Sequence, residues 1–170
     1  MESTKNKISQ ETQMFFDKLS NYLDTKLYYY WSVQRDDYVD GKSDIDVDLF
    51  TSDETGTMLK LQSFLNIPHS DFKRVVYRLH TTNQIVHGQK VKYNRGWINA
   101  EFSVYNERNK ADILLEHNSK SELPWFISIL LIILKFVFYR IGLLPTRMYI
   151  YLKNGLMNSV NNYDAKFVMY

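Results

Sequence analysis

The chain of 170 residues reads as an α+β protein of the α/β-sandwich type. A mixed sheet carries helices packed on one face, and a hydrophobic C-terminal helix and an amphipathic tail helix follow it. Three observations predict this. Helix-period and strand-period segments alternate up to about residue 118, two of the strands flank a turn rich in Asp, Gly and Lys, and residues 124–144 are apolar almost throughout. The implied division is a folded domain over 1–120 and an appended segment over 121–170.

Residues 1–7 are polar and lack the apolar core of a secretory signal. Ser9 caps a helix to about residue 24, whose apolar face is Met14, Phe15, Leu19, Tyr22 and Leu23. A first strand is expected over 26–33, a turn over 36–42 and a second strand over 43–50. Thr51 or Ser52 then caps a helix to about residue 65, and Pro68 ends that element. Residues 72–80, 84–93 and 97–105 read as strands, with turns at 87–89 and 94–96, and 110–118 as a short helix.

Within the second strand, Ser43-Asp44-Ile45-Asp46 enters the apolar run Val47-Asp48-Leu49-Phe50. Side chains alternate along a strand, so Asp44 and Asp46 share one face while Ile45, Val47 and Leu49 point into a core. Paired carboxylates repel and raise each other's pKa unless a cation lies between them. Mg²⁺ held by two carboxylates and substrate phosphates suits this spacing. The competing reading is a strand edge decorated with Asp against aggregation.

Together with the preceding residues, from Trp31-Ser32 through the turn to Asp44-Ile45-Asp46, this stretch resembles the signature of the polymerase-beta-like nucleotidyltransferase superfamily, closest to its minimal members. That signature is Gly-Ser, a turn, then Ser-Asp-x-Asp on a second strand. The resemblance is tight over 31–50, extends by architecture to about 118 and stops there. It implies a nucleotidyltransferase-like mixed sheet, Mg²⁺ or Mn²⁺ on Asp44 and Asp46, and a nucleoside triphosphate such as ATP held by Ser32 with Lys42 and Ser43 in the turn. Two positions depart from it: Trp31 replaces the family glycine and Asp36 a second frequent one. Glycine there permits close approach to phosphate or a positive φ. The departures leave two readings open, an altered nucleotide site or a fold kept without catalysis.

The resemblance also implies a third carboxylate from a later strand. In residues 97–105, Ile98, Ala100, Phe102 and Val104 alternate with Asn99, Glu101 and Ser103, which puts Glu101 on the open face. Glu101 is therefore the expected third metal ligand or general base, with Asp48 as its competitor. Arg35, Lys90 and Lys92 are further cations placed to face a triphosphate. His69, His80, His87 and His117 show no metal-ligand spacing and read as surface or turn residues.

Cysteine is absent, which excludes disulfides and thiolate metal sites. A net charge of +2 gives no strong nucleic-acid signal. The run 124–144 has the length of a spanning helix, with Trp125 and Tyr139 toward its ends. Lys135 would then sit near mid-bilayer at about 2.5–3.5 kcal/mol. Spanning would also place Arg147, Lys153 and Lys166 on the far side. The sequence therefore favours a segment lying in the interface, with Lys135 and Arg140 reaching headgroups. The expected protein is a membrane-associated nucleotidyltransferase whose catalytic domain faces the cytoplasm. Its partners are a nucleoside triphosphate, membrane lipids through 124–144 and an acceptor the sequence does not name. The alternative is a catalytically impaired relative that binds nucleotide or a partner at the membrane. A phosphocholine-transferring relative would carry a Trp-Asp-Asp-Asp-x-Asp-like motif, which is absent.

Overall fold

The computed structural model describes residues 2–121, 123–160 and 168–169. In chain order the elements are α1 (Gln10–Leu23), β1 (Leu27–Tyr30), β2 (Ile45–Thr51), α2 (Glu54–Leu65), β3 (Lys73–Arg78), β4 (Ile85–Arg95), β5 (Ile98–Asn106), α3 (Lys110–Ser121), α4 (Trp125–Phe136), α5 (Thr146–Val160) and β6 (Val168–Met169). One mixed sheet orders the strands β1-β2-β5-β4-β3-β6. Strand β2 runs parallel to β5, and the other pairings are antiparallel.

Alternation along the strands separates two layers. Ile45, Val47 and Leu49 of β2 and Ala100, Phe102 and Val104 of β5 bury against Phe16 and Leu19 of α1 and Met58 and Leu61 of α2. This is the main core. The opposite face carries Tyr28, Phe50, Val75, Tyr77 and Tyr105, which close over Ile113 of α3. Helices therefore cover both faces, not the single face expected. Helix α3 is short and its hydrophobic periodicity weak, so its side of the sheet could not be read from its pattern.

Several boundaries differ from expectation. The first strand stops at Tyr30, because Trp31–Gln34 forms a 3₁₀ turn that opens with Trp31 at φ 55°. The cap of α2 is Asp53, whose Oδ1 accepts from the Gly56 N–H at 2.9 Å, while Thr51 remains in β2. Residues 87–89 lie inside β4, and the reversal comes at 79–84, where the Leu79 N–H donates to the Gln84 carbonyl at 2.8 Å. Gly88 is required by contact instead of by a turn. A Cβ there would meet the Tyr105 ring at 2.5 Å and the Val104 carbonyl at 2.9 Å.

The apolar run 124–144 is not one long helix. α4 has 12 residues, a single π-helical turn covers Val137–Ile141, and Gly142 at φ 71° ends it. Among the described residues no helix is long and apolar enough to cross a membrane, so the spanning alternative is not met. The amphipathic tail helix is present as α5. Residues 161–167 of the tail segment expected over 121–170 lie outside the described residues, and Val168 and Met169 form β6 beside β3.

Candidate functional site

The register of the sheet assembles the site. Asp46 of β2 lies opposite Tyr30 of β1 on one side and Glu101 of β5 on the other, and Glu101 lies opposite Lys92 of β4. One step along, Asp48 pairs with Tyr28 and Ser103, and Ser103 with Lys90. All these side chains leave the face opposite α1 and α2. Asp44 stands just before β2 and is exposed. Its Oδ1 accepts from Asn99 Nδ2 at 3.0 Å, and its backbone carbonyl accepts from Ser32 Oγ at 2.9 Å. Ser32, Asp44, Asp46 and Glu101 thus line one cleft of about 240 Å³. A shallower groove of about 500 Å³ shares Lys90, Lys92 and Glu101 with it and adds Lys73.

The electrostatics of the cleft are unbalanced. Burial, with the neighbouring charges of Glu101 and Asp44, pushes Asp46 up to about 7, although Lys90 and Lys153 temper the effect. Glu101 behaves in the opposite way. Burial would raise it, but Lys90 and Lys92 outweigh burial and hold it below the usual carboxylate range. Both lysines are ion-paired to it, Lys92 at 3.2 Å.

Asp44 and Asp46 fit a divalent cation. Their donors are hard carboxylate oxygens at one cleft, and Asp46, raised first by burial and then by Glu101 and Asp44, is a carboxyl whose charged form a bound cation would favour. Glu101, as placed, does not complete that set, because its oxygens are turned to two lysines. Among the described residues no group of three or more His, Asp or Glu is arranged to hold a metal ion. The expected three-carboxylate ligand set is therefore brought together in space but not assembled as ligands.

The turn residues separate by role. Ser43 is buried, and its Oγ accepts from the Val39 N–H and from Lys135 Nζ, both at 3.1 Å. It fixes the approach to Asp44. Lys42 is exposed and does not line the cleft. Its carbonyl accepts from the Tyr139 hydroxyl at 3.4 Å, so only its backbone contributes here. Arg35 reaches the cleft wall but is buried and ion-paired to Asp37 at 2.8 Å.

Four features lay beyond the sequence reading. Lys135 is buried, with Nζ 2.9 Å from Asp37 Oδ2 and donating to the Asp37 carbonyl at 2.6 Å. It therefore does not reach toward headgroups as expected. Burial lowers its pKa against the pull of Asp37. Second, Asp48 is fully buried, and its Oδ2 lies 2.8 Å from His117 Nε2, whose ring stacks on Tyr30 at 4.1 Å. Asp48 is thus occupied and does not compete with Glu101, and His117 is not a surface residue. The one signal for this was the unpaired third position of the Asp row. Third, Tyr139, Tyr149 and Lys153 bring the C-terminal helices to the rim of the cleft.

The fourth is Trp31. Its ring packs against Ile127 and Leu131 of α4 and Met157 of α5. The position keeps the left-handed backbone that glycine would supply freely, at a cost of about 1–2 kcal/mol for a residue with a Cβ. Docking of the C-terminal helices onto the indole offsets that cost.

No family model and no curated protein matches the chain. Solved structures similar to it include a cytoplasmic RNA terminal U-transferase, with a TM-score of 0.42 at 14% identity over 77% of this chain and 42% of that one. The GLD-2/RNP-8 complex has a TM-score of 0.36 at 15% identity over 87% of this chain and 53% of the other. Cid1, an RNA terminal uridylyl transferase, has a TM-score of 0.37 at 16% identity over 79% and 42%. The chain spans about half the length of these proteins or less.

Proposed function

We propose that the protein transfers a nucleoside monophosphate from a nucleoside triphosphate to an acceptor hydroxyl, working attached to a membrane with its cleft toward the cytoplasm. The observation that carries the transferase reading is the strand register. It places Asp46 directly beside Glu101, with Asp44 and Ser32 at the same mouth and Lys90 and Lys92 on the adjoining strand.

In this reading Asp44 and Asp46 hold Mg²⁺, which when bound would neutralise charge on the triphosphate and organise in-line displacement. The chain's own residues do the rest. Ser32 lies at the mouth of the cleft, where its hydroxyl, now donated to the Asp44 carbonyl, would turn to a phosphate oxygen when the triphosphate binds. Lys90 and Lys92 supply positive charge where negative charge gathers on the departing oxygens. The acceptor oxygen forms a bond to the α-phosphorus, the α–β anhydride bond breaks, pyrophosphate leaves, and Glu101 takes the acceptor proton. An ionised Glu101 can accept a proton, and when the lysines turn to phosphate its basicity rises.

The test is transfer of label from α-labelled nucleoside triphosphates, with Mg²⁺, to a panel of protein, lipid, sugar and RNA acceptors. UTP with an RNA 3′ end is one arm. Transfer by the wild type and none by Asp44→Ala/Asp46→Ala supports the proposal. A second reading, a chain that binds nucleotide without turning it over, is favoured by Glu101 already being ion-paired to two lysines. Binding without transfer to any acceptor selects it.

A further inference from the structure

Helix α4 is built inside out. Its one charged side chain, Lys135, is buried, and Ile127, Leu131 and Leu134 are buried beside it. At 100° per residue these four occupy one side, and an arc of about 160° is left outward. Every residue on that arc is a large hydrophobe: Trp125, Phe126, Ile129, Leu130, Ile132, Ile133 and Phe136, each between 42% and 76% exposed. Soluble helices carry polar residues there. With roughly 150–250 Å² per large side chain, the arc presents on the order of 700 Å², beyond the few hundred usual for a monomer's apolar patch. Beyond it Ile141 and Leu143, and Met148, Ile150 and Tyr151 of α5, are exposed as well.

Charge identifies the occupant. Residues 123–160 contain no Asp or Glu, and their cations are Lys135, Arg140, Arg147 and Lys153. Lys135 and Lys153 line the cleft, so Arg140 and Arg147 are the exposed ones. Two copies joined through this face would bring like charges together with no acid on the segment itself. Of the carboxylates in the groove beside Arg140, Asp37 is buried against Arg35 and Lys135 and Asp36 is ion-paired to Lys5, which leaves Asp40 alone at that edge to oppose the two arginines. A surface of anionic headgroups over an apolar interior complements both properties. Geometry sets the orientation. Twelve helical residues span about 18 Å, short of the roughly 30 Å hydrocarbon core, and Lys135 is held to the folded domain.

We propose that the outward arc of α4, with Arg140 and Arg147, docks the protein flat on an anionic lipid surface. This deepens the membrane-attached reading above and is independent of the chemistry at Asp44 and Asp46. The test is co-sedimentation of the full chain with vesicles of phosphatidylcholine alone or with phosphatidylserine added. The wild type is expected to bind the phosphatidylserine vesicles, more weakly at high salt. Ile129→Ser/Ile133→Ser/Phe136→Ser should lose at least about tenfold in partitioning, with unchanged circular dichroism. Trp125→Ser/Phe126→Ser serves as a second apolar variant, and Arg140→Glu/Arg147→Glu should abolish the preference for phosphatidylserine. Asp44→Ala/Asp46→Ala should bind vesicles as the wild type does, so failed nucleotide transfer and failed docking are told apart. Absent wild-type binding, equal binding by both apolar variants, or a lipid-indifferent dimer that the apolar variants make monomeric would each overturn the proposal.

Discussion

Replacing Lys135 with Met tests how the C-terminal helices are tied to the cleft. The Lys135 ammonium lies 2.9 Å from the Asp37 carboxylate, 2.6 Å from the Asp37 carbonyl and 3.1 Å from Ser43 Oγ. The side chains are 3% and 0% exposed, so water cannot substitute for the lost partners. Breaking a buried ion pair costs about 3–5 kcal/mol when the remaining charge is stranded. Here Arg35 still pairs with Asp37 through two hydrogen bonds, so Lys135→Met should cost less, about 2–3 kcal/mol. Asp37→Leu strands both Arg35 and Lys135 and should cost the full range or more. In urea, with a slope near 2 kcal/mol per M, Lys135→Met lowers the midpoint by about 1 M. A shift within error of zero, or a larger loss for Lys135→Met than for Asp37→Leu, would refute the buried triad and return Lys135 to the surface.

The same carboxylate contributes to the acid limb of stability, together with Glu101, which its lysines also hold down. Against the upward push of burial, Arg35 and Lys135 hold Asp37 down at about 2, below its ordinary 3.8. The unfolded chain therefore takes up a proton first as pH falls. The Asp37 contribution is fully present above about pH 4 and is lost toward pH 2, at most about 2–3 kcal/mol. Asp37→Asn should flatten that part of a stability-against-pH curve, and an unchanged acid limb would contradict the assignment. Trp31→Gly relieves the left-handed strain but removes the indole that Ile127, Leu131 and Met157 cover. The net loss should be about 1–2 kcal/mol, with faster proteolysis between α3 and α4; unchanged proteolysis would show that the indole does not dock those helices. Gly88→Ala forces a Cβ against the Tyr105 ring and the Val104 carbonyl and should cost about 1–3 kcal/mol, read as a lower melting temperature. A neutral result there would contradict the close approach of β4 and β5.

The strands of the site were legible because alternation is a local signal. Asp46 and Glu101 could each be assigned a face from their neighbours, and the register of β2 with β5 brought them side by side, while Asp44 falls just before β2 instead of on the strand expected over 43–50. What the local pattern could not carry was long-range pairing. Glu101 meets lysines on β4 and Asp48 meets a histidine on α3, 69 positions away. Lys135 lies 98 positions from Asp37. A lysine in an apolar run reads as a membrane-interface residue until the carboxylate that holds it is known. Trp31 shows the same limit. Its departure from glycine was visible, but its reason lies in helices about a hundred residues later. The Gly88 turn was misread because glycine signals both a reversal and a close contact, and only the Tyr105 ring distinguishes them.

The most direct measurement is equilibrium binding of labelled nucleoside triphosphates with and without Mg²⁺, by the wild type and by Asp44→Ala/Asp46→Ala. The metal role proposed for Asp44 and Asp46 predicts saturable, Mg²⁺-dependent binding by the wild type that the double variant loses. Binding that is equal in the two proteins, or indifferent to Mg²⁺, would contradict the claim that these aspartates form a nucleotide–metal site.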